Sequence, residues 1–215
     1  MSRNVDIRTA FQRGGKAVLD QISQPAVAEK WEAESALSKM STGSLVAHLA
    51  KCLVLVETFL NASLPDSEPF DAVHFYARLN DTKDVDSQYN QTGRQKGEEA
   101  AEKGWELVID ELAGVLDRLN TRLPQESTER VVALVNRPGD TMLLDEYLKT
   151  RCVEIAVHLR DLAVSCGLQP SAPESVEQVA IDVAIGVAQA RHGNGVLLDA
   201  LYRGERLTTE VFPVL

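Results

Sequence analysis

Aromatic residues make up only 5% of this 215-residue chain, so its core has to be built mainly from Leu, Val and Ala, a composition that suits packed helices. No uninterrupted apolar run approaches the ~18 residues that cross a bilayer, which argues against a membrane span. The start, Met1-Ser-Arg-Asn-Val-Asp-Ile-Arg, lacks an apolar segment, so no signal peptide is expected. Cysteine is scarce as well. Cys52, Cys152 and Cys166 are an odd number without the spacing of a disulfide framework, which fits a reducing cytoplasm. Clustered basic residues are missing and the formal net charge is −10, so nucleic acid is excluded as a main partner.

What is present is ordinary globular usage, 44% hydrophobic and 25% charged, in a chain long enough to bury a sizeable core. Apolar residues recur at helical spacing over four long segments. Residues 4–22 carry Ile7, Phe11, Val18, Leu19 and Ile22, weakened in the middle by Gly14-Gly15, and Pro25 marks the exit into a loop containing Trp31. A second helix opens at Ser41 or Thr42, both good N-caps, and runs to about Asn61. Pro65 and Pro69 punctuate the connection that follows. Residues 71–79 form a short helix, and the polar segment Asn80 to Thr92 reads as a long loop. A third helix spans 94–122, with Glu98, Glu99 and Glu102 on a solvated face. Residues 130–135 are β-prone and read as a short strand closed by Asn136-Arg-Pro-Gly. The fourth helix starts near Thr141 and ends before Gly167, a natural C′ glycine.

The expected fold class is therefore all-α: a four-helix bundle over residues 1–167 with a small α/β extension over 168–215. In that extension a helix (Ser175–Arg191) is interrupted by Gly193 and Gly195, a shorter one follows around Leu197–Tyr202, and the end from Leu207 is extended.

The chemistry concentrates in the fourth helix. Glu154 and His158 are four residues apart, hence about 40° apart around the axis and one turn from each other, so both can reach one metal ion. On their own they equally fit an exposed polar pair. Their neighbours Val153, Ile155, Ala156, Val157, Leu159 and Leu162 are apolar, however, and an unpaired carboxylate buried there is costly. His48, on the second helix, also interrupts an apolar run. If the second and fourth helices face each other, two His and one Glu converge, a three-ligand set that leaves a position open for water or substrate. Cys52, four residues after His48, offers a competing ligand, but the Cys-x-x-Cys of a redox zinc switch is missing. Asp161 either orients the His158 imidazole or forms a surface ion pair with Arg160 or Lys149. His74 reads as exposed, His192 as a helix-end residue, and Cys152 and Cys166 as core.

The runs Trp31-x-x-x-Ser35-x-Leu37 with Ser41-Thr-Gly-Ser-Leu-Val-Ala-His48-Leu, and Tyr147-Leu-Lys-Thr-Arg151-Cys-Val-Glu154-Ile-Ala-Val-His158-Leu-Arg-Asp161-Leu, resemble the two signatures of DinB-like metal-binding bundles. Within these, the pair is similar to the branch of mycothiol-dependent maleylpyruvate isomerases and mycothiol S-transferases. The resemblance covers about residues 5–167. It implies a divalent metal, usually zinc, on His48, Glu154 and His158, with mycothiol as thiol cosubstrate. Met40 and Ser44 depart from the usual Trp and Asp of the first signature. The tail is also shorter than the isomerase C-terminal domain that contributes an arginine, for which Arg191, Arg203 or Arg206 are the substitutes, Arg191 and Arg206 being taken as substrate-binding.

The resemblance thus implies a metal-dependent thiol transferase acting on an electrophilic small molecule. The alternatives are a mycothiol-dependent isomerase, a non-catalytic metal- or ligand-binding bundle, or a structural protein with a buried hydrogen-bond cluster. The expected partners are a small-molecule thiol and its electrophile, with no nucleic acid and no membrane, and with a homodimer as one allowed assembly.

Overall fold

The computed structural model describes residues 5–79, 84, 86–207 and 209–214. The parts of the expected 80–92 loop at 80–83 and 85 lie outside the described residues, as do residue 4 of the first helix and residues 208 and 215 of the tail.

Helix α1 (Ile7–Ile22) is capped by Asp6, whose carboxylate accepts from the Arg8 and Thr9 amides. Its paired glycines have a packing reason. A Cβ on Gly14 would stand 3.0 Å from Ile155 Cδ1, and one on Gly15 2.7 Å from Leu116 Cδ2. The helix gives up propensity in order to approach its neighbours closely. A short helix α2 (Pro25–Glu29) occupies part of the expected loop, started by Pro at N1, where the missing N–H costs nothing.

Helix α3 (Thr42–Asn61) begins where Ser41 Oγ accepts from the Ser44 amide at 3.0 Å. It is long and apolar enough to cross a membrane, but 67% of its apolar stretch is buried inside the bundle. Helix α4 (Ala72–Ala77) is the short helix expected around 71–79, capped by Asp71.

The segment expected as one helix over 94–122 is two: α5 (Gln88–Ala101) and α6 (Trp105–Arg122). Gly104, at φ +84°, turns the chain between them in a conformation only glycine adopts cheaply. Helix α5 can then fold back onto α3, with Gly97 against Ser44.

Strands β1 (Val131–Ala133) and β2 (Thr141–Leu143) form an antiparallel hairpin, with Val132 opposite Met142. Residues 141–143 are thus strand, and α7 (Leu144–Cys166) starts after them and ends on Gly167 in the left-handed region. The last α-helical element, α8 (Glu174–Tyr202), is two helical stretches joined at Gly193, whose non-helical backbone (φ +80°) breaks the helix where the sequence placed the interruption. Among the described residues of 168–215 there is no strand, so the sheet belongs to the loop before α7 and the extension is helical with an extended end.

Helices α1, α3, α6 and α7 make the four-helix bundle, with α1 against α6 and α7, and α3 against the same two. Phe11, Leu49, Leu53, Leu112, Leu119, Leu148 and Leu159 fill its centre. Helix α8 lies over α7 and α4, and Val176, Val179, Val183 and Val187 join the same core. The contact between α3 and α7 positions the site.

Candidate metal centre

On α3, His48 and Cys52 stand one turn apart. On α7, Tyr147, Arg151, Glu154 and His158 follow each other at spacings of four, three and four, and so line one face. Where the two helices meet, Glu154 becomes the hub. Its Oε2 lies 3.3 Å from His158 Nε2 and 3.6 Å from His48 Nε2. Its Oε1 accepts a hydrogen bond of 3.2 Å from the Tyr76 hydroxyl on α4, which also reaches the Thr150 carbonyl at 3.1 Å. The two imidazoles meet edge to face, 5.1 Å between centroids.

Asp161 Oδ2 lies 2.9 Å from His158 Nδ1. A carboxylate only accepts, so Nδ1 carries the proton and, in the neutral ring, Nε2 presents its lone pair to Glu154. The surface ion-pair alternative for Asp161 does not form: Arg160 pairs with Glu177 and Lys149 with Glu146.

Cys52 joins the cluster, its Sγ 3.7 Å from His48 Nε2 and 3.9 Å from Glu154 Oε2. His48, Cys52 and Glu154 offer ligand atoms all within 4.8 Å of one another. Beside them Arg151, 7% exposed, lies with its guanidinium carbon 4.9 Å from the Tyr147 ring centroid. Tyr147 in turn stacks on Phe59 at 5.0 Å.

The charges are strongly coupled. The neighbouring Cys52 raises His48 to about 10 against the opposition of burial, with Glu154 adding to the rise. Burial also opposes charge on His158, but the Asp161 and Glu154 carboxylates outweigh it and lift that ring to about 9. Burial would push Glu154 up, yet His158, His48 and Arg151 hold it well below the ordinary carboxylate range. Cys52 is likewise pushed up by burial and pulled down further by His48, ending below an ordinary thiol. At Cys152 burial outweighs the opposing pull of Arg151 and pushes the thiol up to about 12.

The donor set fits a divalent metal. Bonds of ~2.1 Å to nitrogen and oxygen in a tetrahedron put ligand atoms about 3.4 Å apart. Glu154 stands at 3.3 and 3.6 Å from the two imidazole nitrogens, close to that edge, although the ligand atoms that lie mutually within 4.8 Å are those of His48, Cys52 and Glu154. Asp161 behind His158 supplies the outer support that metal-bound imidazoles need.

The remaining expected residues fall elsewhere. Arg191, expected to bind substrate, spends its guanidinium on backbone carbonyls of Tyr76, Leu79 and Val214, tying α8 to the end of α4. Arg206 is on the surface beside Asp199 at 3.8 Å, and Arg203 bonds the Tyr202 carbonyl. The arginine that does stand at the cluster is Arg151. Its signal was a charge inside the apolar run of α7, the same signal that marked Glu154 and His158. Cys52 was marked by its one-turn spacing from His48. Tyr76 had no local signal, because a short helix from another part of the chain delivers it.

Fold and site together define a helical bundle with a histidine–carboxylate centre between two of its long helices. The chain belongs to the family described as mycothiol maleylpyruvate isomerase N-terminal domain, whose profile matches residues 12–163, from within α1 to the last turn of α7. No curated protein and no solved structure matches the chain.

Proposed function

We propose that this protein is a metal-dependent thiol transferase, with zinc as the metal and mycothiol as the thiol, acting in the cytoplasm on an electrophilic small molecule. The observation that carries the reading is the placement of Glu154 Oε2 3.3 and 3.6 Å from two imidazole nitrogens, in a chain of a mycothiol-associated family.

His48, Glu154 and His158 would hold the ion. Bound there, a divalent cation supplies Lewis acidity that turns a thiol into a thiolate at neutral pH, and the thiolate is the nucleophile. The protein's own residues prepare that chemistry. Asp161 keeps the proton on His158 Nδ1 and so aims Nε2 inward. Tyr76 holds the second oxygen of Glu154, which makes this carboxylate a fixed ligand rather than a mobile base. Arg151 adds a buried positive charge whose field favours an anionic sulfur close by.

The test is an assay of purified, metal-analysed protein with mycothiol and a bimane electrophile, alongside a second low-molecular-weight thiol. Conjugate formation that needs the metal and fails in His158→Ala supports the transferase. Isomerisation of an unsaturated dicarboxylate without net thiol consumption would point to an isomerase instead. No turnover with any thiol, despite stoichiometric metal, would leave a binding bundle.

A further inference from the structure

From the geometry of the His48, Cys52 and Glu154 donors we infer that Cys52 is a further ligand of the metal centre, adding a sulfur of the chain's own to the His48–Glu154–His158 set. This rests on the metal reading above and deepens it. For a tetrahedral ion with ~2.3 Å to sulfur and ~2.1 Å to nitrogen or oxygen, a sulfur stands about 3.6 Å from its fellow ligands. Cys52 Sγ stands 3.7 Å from His48 Nε2 and 3.9 Å from Glu154 Oε2. Cys52, His48 and Glu154 thus stand at separations close to the edges of a tetrahedron, their ligand atoms all within 4.8 Å of one another.

A second observation points the same way. Arg151 is buried, and among the described residues only its Nε has a hydrogen-bond acceptor, Thr150 Oγ1 at 3.1 Å. The Tyr147 hydroxyl is buried with no hydrogen-bond partner among the described residues. Cys52 and Glu154 are among the groups whose charge Arg151 feels. A buried cation wants compensating negative charge. Two neutral imidazoles and the Glu154 carboxylate leave a divalent ion plus Arg151 with a surplus of two positive charges; Asp161 behind His158 offsets one of them and a cysteine thiolate the other. Cys152 on α7 also feels Arg151, but there burial outweighs the cation and pushes the thiol up to about 12, so it stays a core residue.

The inference changes how a cosubstrate enters. The position left open by three ligands is held by Cys52, so an incoming thiol displaces it. The exchange is one sulfur for another: the incoming S–H bond breaks, and Cys52 Sγ takes that proton as it leaves. No oxidant or reductant is involved.

Cobalt(II) tests this without relying on turnover. The full-length protein is stripped with a chelator and dialysed free of small thiols, then titrated with Co2+ and followed by absorption. One equivalent with tetrahedral visible bands and a near-ultraviolet thiolate-to-cobalt charge-transfer band is expected. Cys52→Ser should keep the ion and visible bands but lose the charge-transfer band, while Cys152→Ser and Cys166→Ser keep both. Stoichiometric cobalt without the charge-transfer band in the unmutated protein overturns the inference and leaves the three-ligand site standing. So does a band that survives in a folded Cys52→Ala. No cobalt uptake at all overturns the metal reading itself, and this inference with it.

Discussion

At the scale of single residues, the cluster between α3 and α7 is a balance of protons shared among His48, Cys52, Glu154 and His158. Cys52 and Glu154 hold the His48 ring up, to about 10, and Asp161 and Glu154 hold His158 up, to about 9, both above the ordinary 6.5 of a histidine. Both rings are therefore protonated at pH 7, while a metal needs them neutral. Loading zinc at pH 7 should release protons, visible as a binding enthalpy that changes with the ionisation heat of the buffer. Affinity should rise with pH until about 9 to 10. An enthalpy identical in all buffers would contradict this. The same shifts fix a stability trend for the metal-free chain. Folded values above the unfolded one stabilise fully below about pH 6.5, and that stabilisation is lost as pH rises through about 9 and 10. Glu154 runs the other way, its contribution being lost as pH falls below the ordinary carboxylate range. Asp161→Asn should weaken metal affinity by roughly 10- to 100-fold, read by competition with a chromogenic chelator.

At the scale of elements, the sequence revealed the ends of α3 and α7 because their caps are local: Ser41 at one start, Gly167 at the other's finish. It did not reveal the break at Gly104. Helical periodicity continues on both sides of it, and only the left-handed turn shows that α5 doubles back. Glu154 and His158 were legible because polar residues in an apolar run must have partners. Which helix provides those partners is a tertiary fact, and so Tyr76 and the true engagement of Arg191 were hidden. Packing makes a prediction here too. A Cβ at Gly43 would stand 2.6 Å from the Trp31 ring, a rigid neighbour. Gly43→Ala should therefore cost about 1–3 kcal/mol in urea unfolding, despite the better helix propensity of alanine. Because Gly43 begins the helix that carries His48, metal affinity should fall along with stability.

At the scale of the whole molecule, α8 is knitted into the bundle through four valines and through Arg191, which grips the carbonyl end of the helix that presents Tyr76. Each buried valine contributes roughly 1.5 kcal/mol or more. A chain ended at Gly167 should lose cooperative unfolding or become insoluble; a fully stable, metal-binding 1–167 fragment would show that α8 is dispensable. Arg191→Ala, a smaller cut, should leave the chain folded but lower metal affinity by loosening Tyr76.

Tyr76 also has a consequence for competition among cations in the cell. With one oxygen of Glu154 held by that hydroxyl and the other between two imidazoles, the carboxylate cannot swing to grip an ion with both. Calcium needs six to eight oxygens, often including such a two-oxygen grip, and magnesium an octahedron of oxygens. Neither finds one among two rings and a thiol. Millimolar magnesium or calcium should therefore leave the occupancy of this centre unchanged, so that the abundant divalent ions pass it by and a scarce one is kept.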